Sequence, residues 1–329
     1  MNEGTMLVRN VYNEKTIKKI PTRNGYGDAL VELGKRNKDI VVLTGDLTDS
    51  TRVNLFAEKF PDRFFEIGVA EQNMMGVAAG MALIGKVPFV SSYAVFNPGR
   101  NWDQLRVSVC YSQANVKIIG AHAGLSVGPD GATHQALEDI AITRCLPNLI
   151  VIVPCDVHET QKAIIAAAKI TGPVYIRIAR EATPVFTPEN SPFKIGKADV
   201  LRKGHHITLV GCGPLLYEAL QAANSLSKEG IEVEVINCHT IKPIDKKTLI
   251  DSAKKTEAVI TIEEHQVHGG LGSAVAEVLS EHYPVPIKMI GVEDSFGESG
   301  DPEELLIKYG LHRSKIMETA RKMLKSLMK

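Results

Sequence analysis

The sequence is poor in cysteine, tryptophan and net charge, and each shortage excludes a class of protein. Its 329 residues include five cysteines, one tryptophan, and 38 basic residues (Lys plus Arg) against 38 acidic ones (Asp plus Glu). The cysteines are odd in number and show no CxxC spacing, which fits neither a disulfide framework nor a zinc site built on cysteine pairs. A reducing compartment is therefore expected. With no net charge, the chain has no global electrostatic reason to bind nucleic acid or an anionic membrane.

Long hydrophobic runs are also missing. No window reaches the roughly 18 uncharged apolar residues that a membrane-spanning helix needs. Residues 1–20 lack the continuous apolar core of a signal peptide. We therefore expect a cytoplasmic protein.

Short apolar runs recur along the first half, with longer helix-like segments between most of them. The predicted strands are Ile40–Leu43, Val87–Val90, Val116–Ile119, Leu149–Val153 and Val174–Ile178. The predicted helices are Asn24–Arg36, Ala70–Leu83, Trp102–Tyr111 and His158–Lys169. Continuous apolar runs of this length are typical of parallel strands covered on both faces. This half is predicted to be a doubly wound α/β domain.

A second α/β series follows a proline-rich segment, Glu181–Ala198, whose composition favours an extended linker. Its predicted strands are Ile207–Val210, Glu232–Asn237, Ala258–Ile262 and Ile287–Ile290, and its predicted helices are Leu215–Ser227, Lys246–Lys255, Leu271–His282 and Ser314–Met328. The fold class is therefore α/β, with two doubly wound domains built on mostly parallel sheets. The predicted organisation is an N-terminal extension (1–20), a first domain (21–182), a linker (183–203) and a second domain (204–329).

Two glycine-rich turns invite a phosphate-binding interpretation. Gly211-Cys-Gly213 follows a strand, but Leu216 stands where the third glycine of a dinucleotide fingerprint belongs, so the match is poor. Gly269-Gly-Leu-Gly272 opens a helix and could hold an anion, although a tight strand-to-helix turn is the simpler interpretation. Within the helix Glu71–Leu83, Gly76 and Gly80 each cost up to about 1 kcal/mol relative to alanine, which predicts close packing against a sheet or another subunit.

Polar side chains collect in loops that leave predicted strands. His122, Asp130 and His134 share one glycine-rich loop, and ligands of open parallel sheets bind beyond the carboxyl ends of strands. A metal site is possible there, but the spacing lacks close helical ligands. Glu71 begins a helix, where the helix dipole alone could explain a carboxylate. Each of the remaining candidates, considered by itself, can be explained as a surface charge, a loop residue or a core aromatic. They are Arg23, Asp46, Ser50, Tyr93, Phe96 and Arg180.

Three segments together resemble the C-terminal half of the transketolases. They are Gly68-Val-Ala-Glu71-Gln-Asn-Met, the loop from His122 through Asp130 to His134 and Gln135, and Glu263-Glu-His-Gln-Val-His-Gly-Gly-Leu-Gly. The resemblance runs from about Thr22 to the end of the chain. It implies a thiamine-diphosphate pyrimidine-binding domain followed by a transketolase C-terminal domain.

The resemblance implies thiamine diphosphate as cofactor and a reaction of the pentose phosphate pathway, in which a two-carbon ketol unit passes from a ketose phosphate to an aldose phosphate. Glu71 would hydrogen-bond the aminopyrimidine ring, and a carboxyl group in a dry pocket can share a proton with a ring nitrogen. Tyr93 and Phe96 would form the aromatic wall of the pyrimidine site, with Asp46 in the loop near the cofactor. Some relatives have a third aromatic where this chain has Gly99.

The same family pattern makes the glycine-rich loop face the substrate. His134 would transfer a proton or bind a hydroxyl near the reacting carbons, and Asp130 would accept a sugar hydroxyl. Arg23, Ser50, His122 and Arg180 would hold the sugar phosphate.

The family's diphosphate-binding domain, with its Gly-Asp-Gly and downstream Asn, has no counterpart in this sequence. Mg²⁺ (or Ca²⁺ or Mn²⁺) and the diphosphate would then be bound by a separate N-terminal transketolase subunit, and no metal ligand is assigned to this chain. We expect a heterotetramer of two copies of each subunit.

Other interpretations stay open. A deoxyxylulose-phosphate synthase or the beta subunit of a 2-oxoacid dehydrogenase would share the fold, although the former typically has arginine where His122 stands. A non-catalytic scaffold subunit would also share it, but has no physical need for a convergent set of polar residues.

Overall fold

The computed structural model describes residues 6–327. Its strands are β1 (Lys19–Pro21), β2 (Ile40–Thr44), β3 (Phe64–Glu66), β4 (Val87–Tyr93), β5 (Lys117–Ala121), β6 (Ile150–Ile152), β7 (Val174–Arg177), β8 (Ala182–Pro184), β9 (Asp199–Arg202), β10 (Ile207–Gly211), β11 (Val233–Asn237), β12 (Thr240–Lys242), β13 (Val259–Gln266) and β14 (Ile287–Val292). Its helices are α1 (Thr22–Arg36), α2 (Asn54–Lys59), α3 (Glu71–Leu83), α4 (Trp102–Gln104), α5 (Asp139–Arg144), α6 (Val157–Ala168), α7 (Leu216–Ser227), α8 (Lys246–Thr256), α9 (Leu271–His282), α10 (Pro302–Lys308) and α11 (Arg313–Leu327).

The strands form two main sheets. The first has the order β12-β6-β7-β5-β4-β2-β3 and is parallel except for β12, whereas the second has the order β14-β13-β10-β11-β9 and is parallel except for β9. β1 and β8 form a separate antiparallel pair. The prediction of two doubly wound, mostly parallel sheets is confirmed.

Helices cover both faces of the first sheet, which explains its uniformly apolar strands. On one face, Tyr26 and Leu30 of α1 and Ile164 of α6 pack with Ile40 and Phe89 of the sheet. On the other face, the core continues from the first sheet into the second and joins both layers. Strands without a solvated face have no reason to alternate apolar with polar residues.

One strand crosses between the two layers. β12 follows β11 of the second sheet in the chain but pairs antiparallel with β6, at the edge of the first sheet. The apolar pattern did not indicate this pairing, because Thr240–Lys242 is too short to show a period. The second half of the chain therefore completes the first sheet.

The boundaries of several elements differ from prediction. β4 runs on through Ser91 and Ser92 to Tyr93, because Ser91 Oγ bonds the buried Tyr26 hydroxyl at 2.6 Å and the buried backbone is paired within the sheet. The helix predicted over Trp102–Tyr111 is one α-helical turn followed by a wider π-helical segment from Leu105 to Tyr111. The last predicted helix ends at Leu327, and Met328 lies outside the described residues.

The proline-rich segment after Arg180 is extended, as predicted, but it is packed rather than free. β8 lies within it, and Phe186 is fully buried. The carboxylate of Asp156 accepts hydrogen bonds from the backbone N–H groups of Phe186 and Thr187. Within residues 6–327, the structure contains no helix that combines the length and the apolar character needed to cross a bilayer.

Candidate active site

The candidate residues lie at the carboxyl ends of neighbouring parallel strands of the first sheet. β2 leads into the loop with Asp46 and Ser50, β4 ends at Tyr93, β5 leads into His122, and Arg180 follows β7. Because these four strands run parallel in one sheet, their loops meet at the same edge. The prediction that this edge collects polar side chains agrees with the topology.

Four predicted residues form one cluster of rings. The Tyr93 ring stacks on the imidazole of His122, with centroids 4.0 Å apart and planes at 25°. Tyr93 and Phe96 lie roughly parallel with centroids 6.2 Å apart. The His134 ring meets Phe96 edge-on at 5.5 Å. Rings held in this way present a flat wall and carry nitrogen atoms at its edge.

Positive charge gathers beside this wall. Arg23 Nη1 lies 3.4 Å from His122 Nε2 and donates to the backbone oxygen of Ser50 at 2.9 Å. Arg180 donates to the backbone oxygen of Val127 at 2.8 Å. Burial, together with the charges of Arg23 and Arg180, lowers the pKa of His122 to about 3. His122 is therefore a neutral imidazole at physiological pH.

Two buried nitrogen atoms of this cluster are left without partners. Neither Arg23 Nε nor His122 Nδ1 has a hydrogen-bond acceptor among the residues that the structure describes. Burial and the neighbouring guanidinium groups of Arg52 and Arg180 lower the pKa of Arg23. A group of donors with unsatisfied hydrogen-bonding capacity and excess positive charge is suited to an anion.

Glu71 supplies a buried carboxylate at the start of α3. Its side chain is 1% exposed, and Ser92 Oγ donates to Oε1 at 3.2 Å. Arg100 donates to Oε2 at 2.7 Å. The Arg100 guanidinium also lies over the Phe96 ring, 4.4 Å from its centroid. Arg100 therefore ties the carboxylate to the aromatic wall.

Arg100 was not predicted from the sequence. Its only local signal is a position four residues after Phe96, and the structure closes this spacing with a turn in which the backbone N–H of Arg100 donates to the Phe96 oxygen at 3.0 Å. The neighbouring Gly99, where some relatives have a third aromatic, is a backbone requirement here: a Cβ atom would lie 2.0 Å from the carbonyl oxygen of Val95.

Three predicted residues are placed less tightly. Asp46 and Asp130 are exposed, and Asp130 ends the short 3₁₀ turn that begins at Leu125. Asp46 fixes its loop through its backbone N–H, which donates to Glu66 Oε1 at 2.7 Å. Ser50 contributes its backbone oxygen to Arg23. The structure thus brings the rings, Glu71 and the arginines into defined contacts, and leaves these two carboxylates facing solvent.

The second sheet holds the glycine-rich loop in place. Glu264 of β13 accepts a hydrogen bond from the backbone N–H of Ser126 at 2.6 Å. A Cβ atom at Gly124, where φ is +95°, would lie 2.3 Å from Glu264 Oε1. Gln135 donates to the backbone oxygens of Leu125 and Glu298. Glu264 stands in one of the segments that carried the family resemblance, and its contacts give that segment a structural role.

The Gly269-Gly-Leu-Gly272 turn is occupied by its own chain. Glu263 accepts hydrogen bonds from the N–H groups of Leu271 and Gly272, at 2.7 and 2.8 Å. A carboxylate therefore already fills the anion position at the start of α9. The simpler prediction, a tight strand-to-helix turn, agrees with this geometry.

Comparison with known families matches both halves of the chain. The family model "Transketolase, pyrimidine binding domain" matches residues 18–185, and the model "Transketolase, C-terminal domain" matches residues 196–316. The chain belongs to the transketolase family. The resemblance inferred from the three sequence segments is confirmed.

Several relatives of this transketolase-family chain have nearly its own length. The "Putative transketolase C-terminal section" of Methanocaldococcus jannaschii is 45% identical, over 91% of this chain and 96% of the relative. The "6-deoxy-6-sulfo-D-fructose transketolase subunit SqwH" of a Clostridium species is 42% identical, over 91% and 92%. Human transketolase is 38% identical over 92% of this chain, which spans 49% of the human protein.

Among solved structures, "Split gene transketolase, inactive beta4 tetramer" is 49% identical, with a TM-score of 0.87, and the match covers 93% of this chain and 99% of that one. The transketolase of Campylobacter jejuni shares the fold, with a TM-score of 0.79 at 24% identity, over 94% of this chain and 48% of that one. The chain is thus a transketolase-type subunit similar to C-terminal sections.

Proposed function

We propose that this chain is the C-terminal subunit of a thiamine-diphosphate-dependent transketolase, which transfers a two-carbon ketol unit from a ketose phosphate to an aldose phosphate. The observation that carries the proposal is the buried Glu71 carboxylate beside a wall of rings and two buried donor atoms without acceptors, Arg23 Nε and His122 Nδ1, at one sheet edge. A scaffold gains no stability from leaving such donors unsatisfied.

The residues present fit the pyrimidine end of the cofactor. When bound, thiamine diphosphate supplies the acidic thiazolium carbon on which ketol transfer depends. Glu71 would hold a proton at a pyrimidine nitrogen, Tyr93 and Phe96 would orient the ring and exclude water, and Asp46 would stay in the nearby loop. Arg100 must then share or release Glu71 Oε2, since that oxygen is occupied here.

The sugar phosphate would be held beside this wall. Arg23 and Arg180 supply charge, and the unpaired Nδ1 of His122 supplies a donor. Ser50 lies against Arg23 through its backbone and could offer its hydroxyl. His134 and the exposed Asp130 would meet the sugar hydroxyls near the reacting carbons. One related subunit is named for a sulfonated sugar and another for a sugar phosphate, so the proposal names a class, the sugar phosphates, and no individual sugar.

The proposal includes a second subunit that carries the diphosphate and metal site, with Mg²⁺, Ca²⁺ or Mn²⁺. Relatives of nearly this length are named as a C-terminal section and as a subunit, and the solved split relative is described as an inactive tetramer of beta chains. Both facts support a requirement for another chain. A heterotetramer of two copies of each is the assembly we propose. The five free cysteines support a reducing, cytoplasmic location.

The direct test is reconstitution. The purified chain is mixed with its candidate N-terminal subunit, thiamine diphosphate and Mg²⁺, and ketol transfer from a ketose phosphate is measured. We expect transfer only in the complete mixture. We also expect Glu71→Gln to lower kcat by at least about 100-fold, because the lost group is a proton donor and acceptor. Glu58→Gln, an exposed carboxylate on α2, is the matched control and should leave the rate unchanged.

The outcomes separate the alternatives. No transfer with any candidate partner, while both chains are folded, would contradict the transketolase proposal. Full activity of the complex with Glu71→Gln would favour a scaffold subunit. Release of carbon dioxide from pyruvate by the same mixture would favour a deoxyxylulose-phosphate synthase or a 2-oxoacid dehydrogenase.

A further inference from the structure

A second cluster of titratable groups lies away from the candidate active site, where three segments meet. Glu159 belongs to α6, Asp199 begins β9, and His239 stands between β11 and β12. Their ligating atoms all lie within 4.8 Å of one another. Glu159 is attached to the first sheet, whereas Asp199 and His239 are attached to the second. The cluster therefore spans the junction between the two layers.

The imidazole of His239 points into this cluster with one nitrogen unused. The side chain is completely buried, and Nε2 has no hydrogen-bond partner among residues 6–327. Asp199 Oδ2 is 3.7 Å from that nitrogen, beyond hydrogen-bond distance. The other nitrogen, Nδ1, lies 2.9 Å from Thr240 Oγ1, and the Phe193 ring packs on the imidazole at 4.3 Å. The ring is therefore fixed, with Nε2 aimed at the carboxylates.

Glu159 is equally well oriented. Asn237 Nδ2 donates to Oε1, and the backbone N–H of Cys155 donates to Oε2, each at 2.7 Å. Glu159 is buried, and these two hydrogen bonds hold its carboxylate in one orientation close to Asp199 and His239.

The ammonium group of Lys162, on the same helix as Glu159, makes its hydrogen bonds elsewhere. Lys162 donates its ammonium hydrogens to the backbone oxygens of Pro188 and Ser191, both at 3.2 Å, and to Ser191 Oγ at 2.5 Å. None of these three hydrogen bonds goes to Glu159, Asp199 or His239.

We propose that Glu159, Asp199 and His239 bind a divalent transition-metal ion, with Zn²⁺ as the best match. One imidazole and two carboxylates form a donor set that Zn²⁺ accepts, and a tetrahedral site needs ligand atoms about 3.4 Å apart. Small side-chain movements would reach that spacing. Asp199, whose side chain is 22% exposed, leaves room for a water as fourth ligand. Bound metal would select the tautomer in which His239 Nδ1–H donates to Thr240.

Such an ion would fasten α6 of the first layer to β9 and the β11–β12 connection of the second. It would act as a structural tie, independent of the proposed reaction. Metal binding to the folded state alone raises the melting temperature by mass action.

The test is Zn²⁺ binding by the full chain, measured by titration calorimetry and by metal analysis after dialysis. Cys145 is an exposed thiol, so Cys145→Ser serves as the background. We expect one Zn²⁺ per chain, a melting temperature that rises with Zn²⁺ and falls with a chelator, and visible absorption of a Co²⁺-substituted sample. Asp199→Asn, a partly exposed and isosteric change, should weaken binding by about 100-fold.

Two further variants complete the design. His239→Asn should abolish binding, and Asp251→Asn, an exposed carboxylate on α8, should have no effect. Absence of stoichiometric Zn²⁺ binding, or unchanged binding in Asp199→Asn, would overturn the proposal. Equal competition by Mg²⁺ would overturn the assignment to a transition metal.

Discussion

At the scale of single residues, the candidate site is defined by the charge that surrounds a neutral histidine. His122 is buried against Tyr93 and lies beside Arg23, so its imidazole can accept from the guanidinium only without a second proton. The same neighbours that disfavour a cationic imidazole would attract a phosphate. An anion bound there would reverse this effect and favour protonation.

This environment predicts a pH dependence of stability. Between pH 6.5 and 3, the unfolded chain binds a proton at position 122 and the folded chain does not, so the free energy of unfolding falls as the pH falls. His122→Asn should remove about 2 kcal/mol of the change between pH 7.5 and pH 5. Urea denaturation at both pH values measures it. His205→Asn, at an exposed position, is the control. The prediction is contradicted if the free energy of unfolding changes by the same amount between the two pH values in His122→Asn and in the unchanged chain.

A buried ion pair makes a second residue-scale prediction. Asp139 accepts from Arg177 Nε at 3.1 and 2.9 Å and from the Tyr175 hydroxyl at 2.7 Å, and both members of the pair are buried. Asp139→Ala would leave the buried Arg177 charged and without its carboxylate partner, so we expect a loss of about 3–5 kcal/mol in denaturant unfolding. Asp39→Ala, which breaks an exposed pair with Lys86, should cost less than about 1 kcal/mol. The prediction is contradicted if both variants lose the same free energy of unfolding, because breaking the buried pair would then cost no more than breaking the exposed one.

At the scale of elements, α3 carries an unfilled face. The sequence predicts a packing reason for Gly76 and Gly80, yet a Cβ atom at either position would meet nothing within 4 Å. Leu83 beside them is 72% exposed, and Tyr111 at the end of the π-helical segment is 82% exposed. Glu71 begins the same helix, so this face belongs to an element that also carries a residue of the candidate site. A partner subunit seated on it would explain the glycines.

Gly80→Leu tests this explanation. The isolated chain should keep its stability or gain up to about 1 kcal/mol, because leucine favours a helix more than glycine does and has open space here. Assembly with the partner subunit should weaken, as measured by analytical ultracentrifugation of the mixture. Ser280→Leu, at an exposed position of α9, should not affect assembly. Normal assembly of Gly80→Leu would exclude this face of α3 from the interface.

At the scale of the whole molecule, the two layers depend on one another. β12 from the second half completes the first sheet, and Glu264 from the second sheet holds the loop that contains His122 and His134. Arg177 reaches across to donate to the backbone oxygen of Glu264 at 2.8 Å. The second layer therefore shapes the candidate site without supplying a side chain to its ring cluster.

The sequence by itself determined the fold class, most strands and helices, and the family. Apolar runs such as Ile40–Leu43 report local burial on both faces, and motif segments keep their order along the chain. Those signals depend on neighbours in sequence, so they can be read without coordinates.

Only the tertiary structure decided which distant groups meet. The pairing of Glu71 with Arg100, the support of Gly124 by Glu264, and the grouping of Glu159, Asp199 and His239 join residues 29 to 140 positions apart. Arg100 and His239 look in sequence like ordinary polar residues, and the motif that contains Glu264 does not show what its carboxylate contacts. Their significance depends on burial and direction, which arise when the two sheets pack against one another.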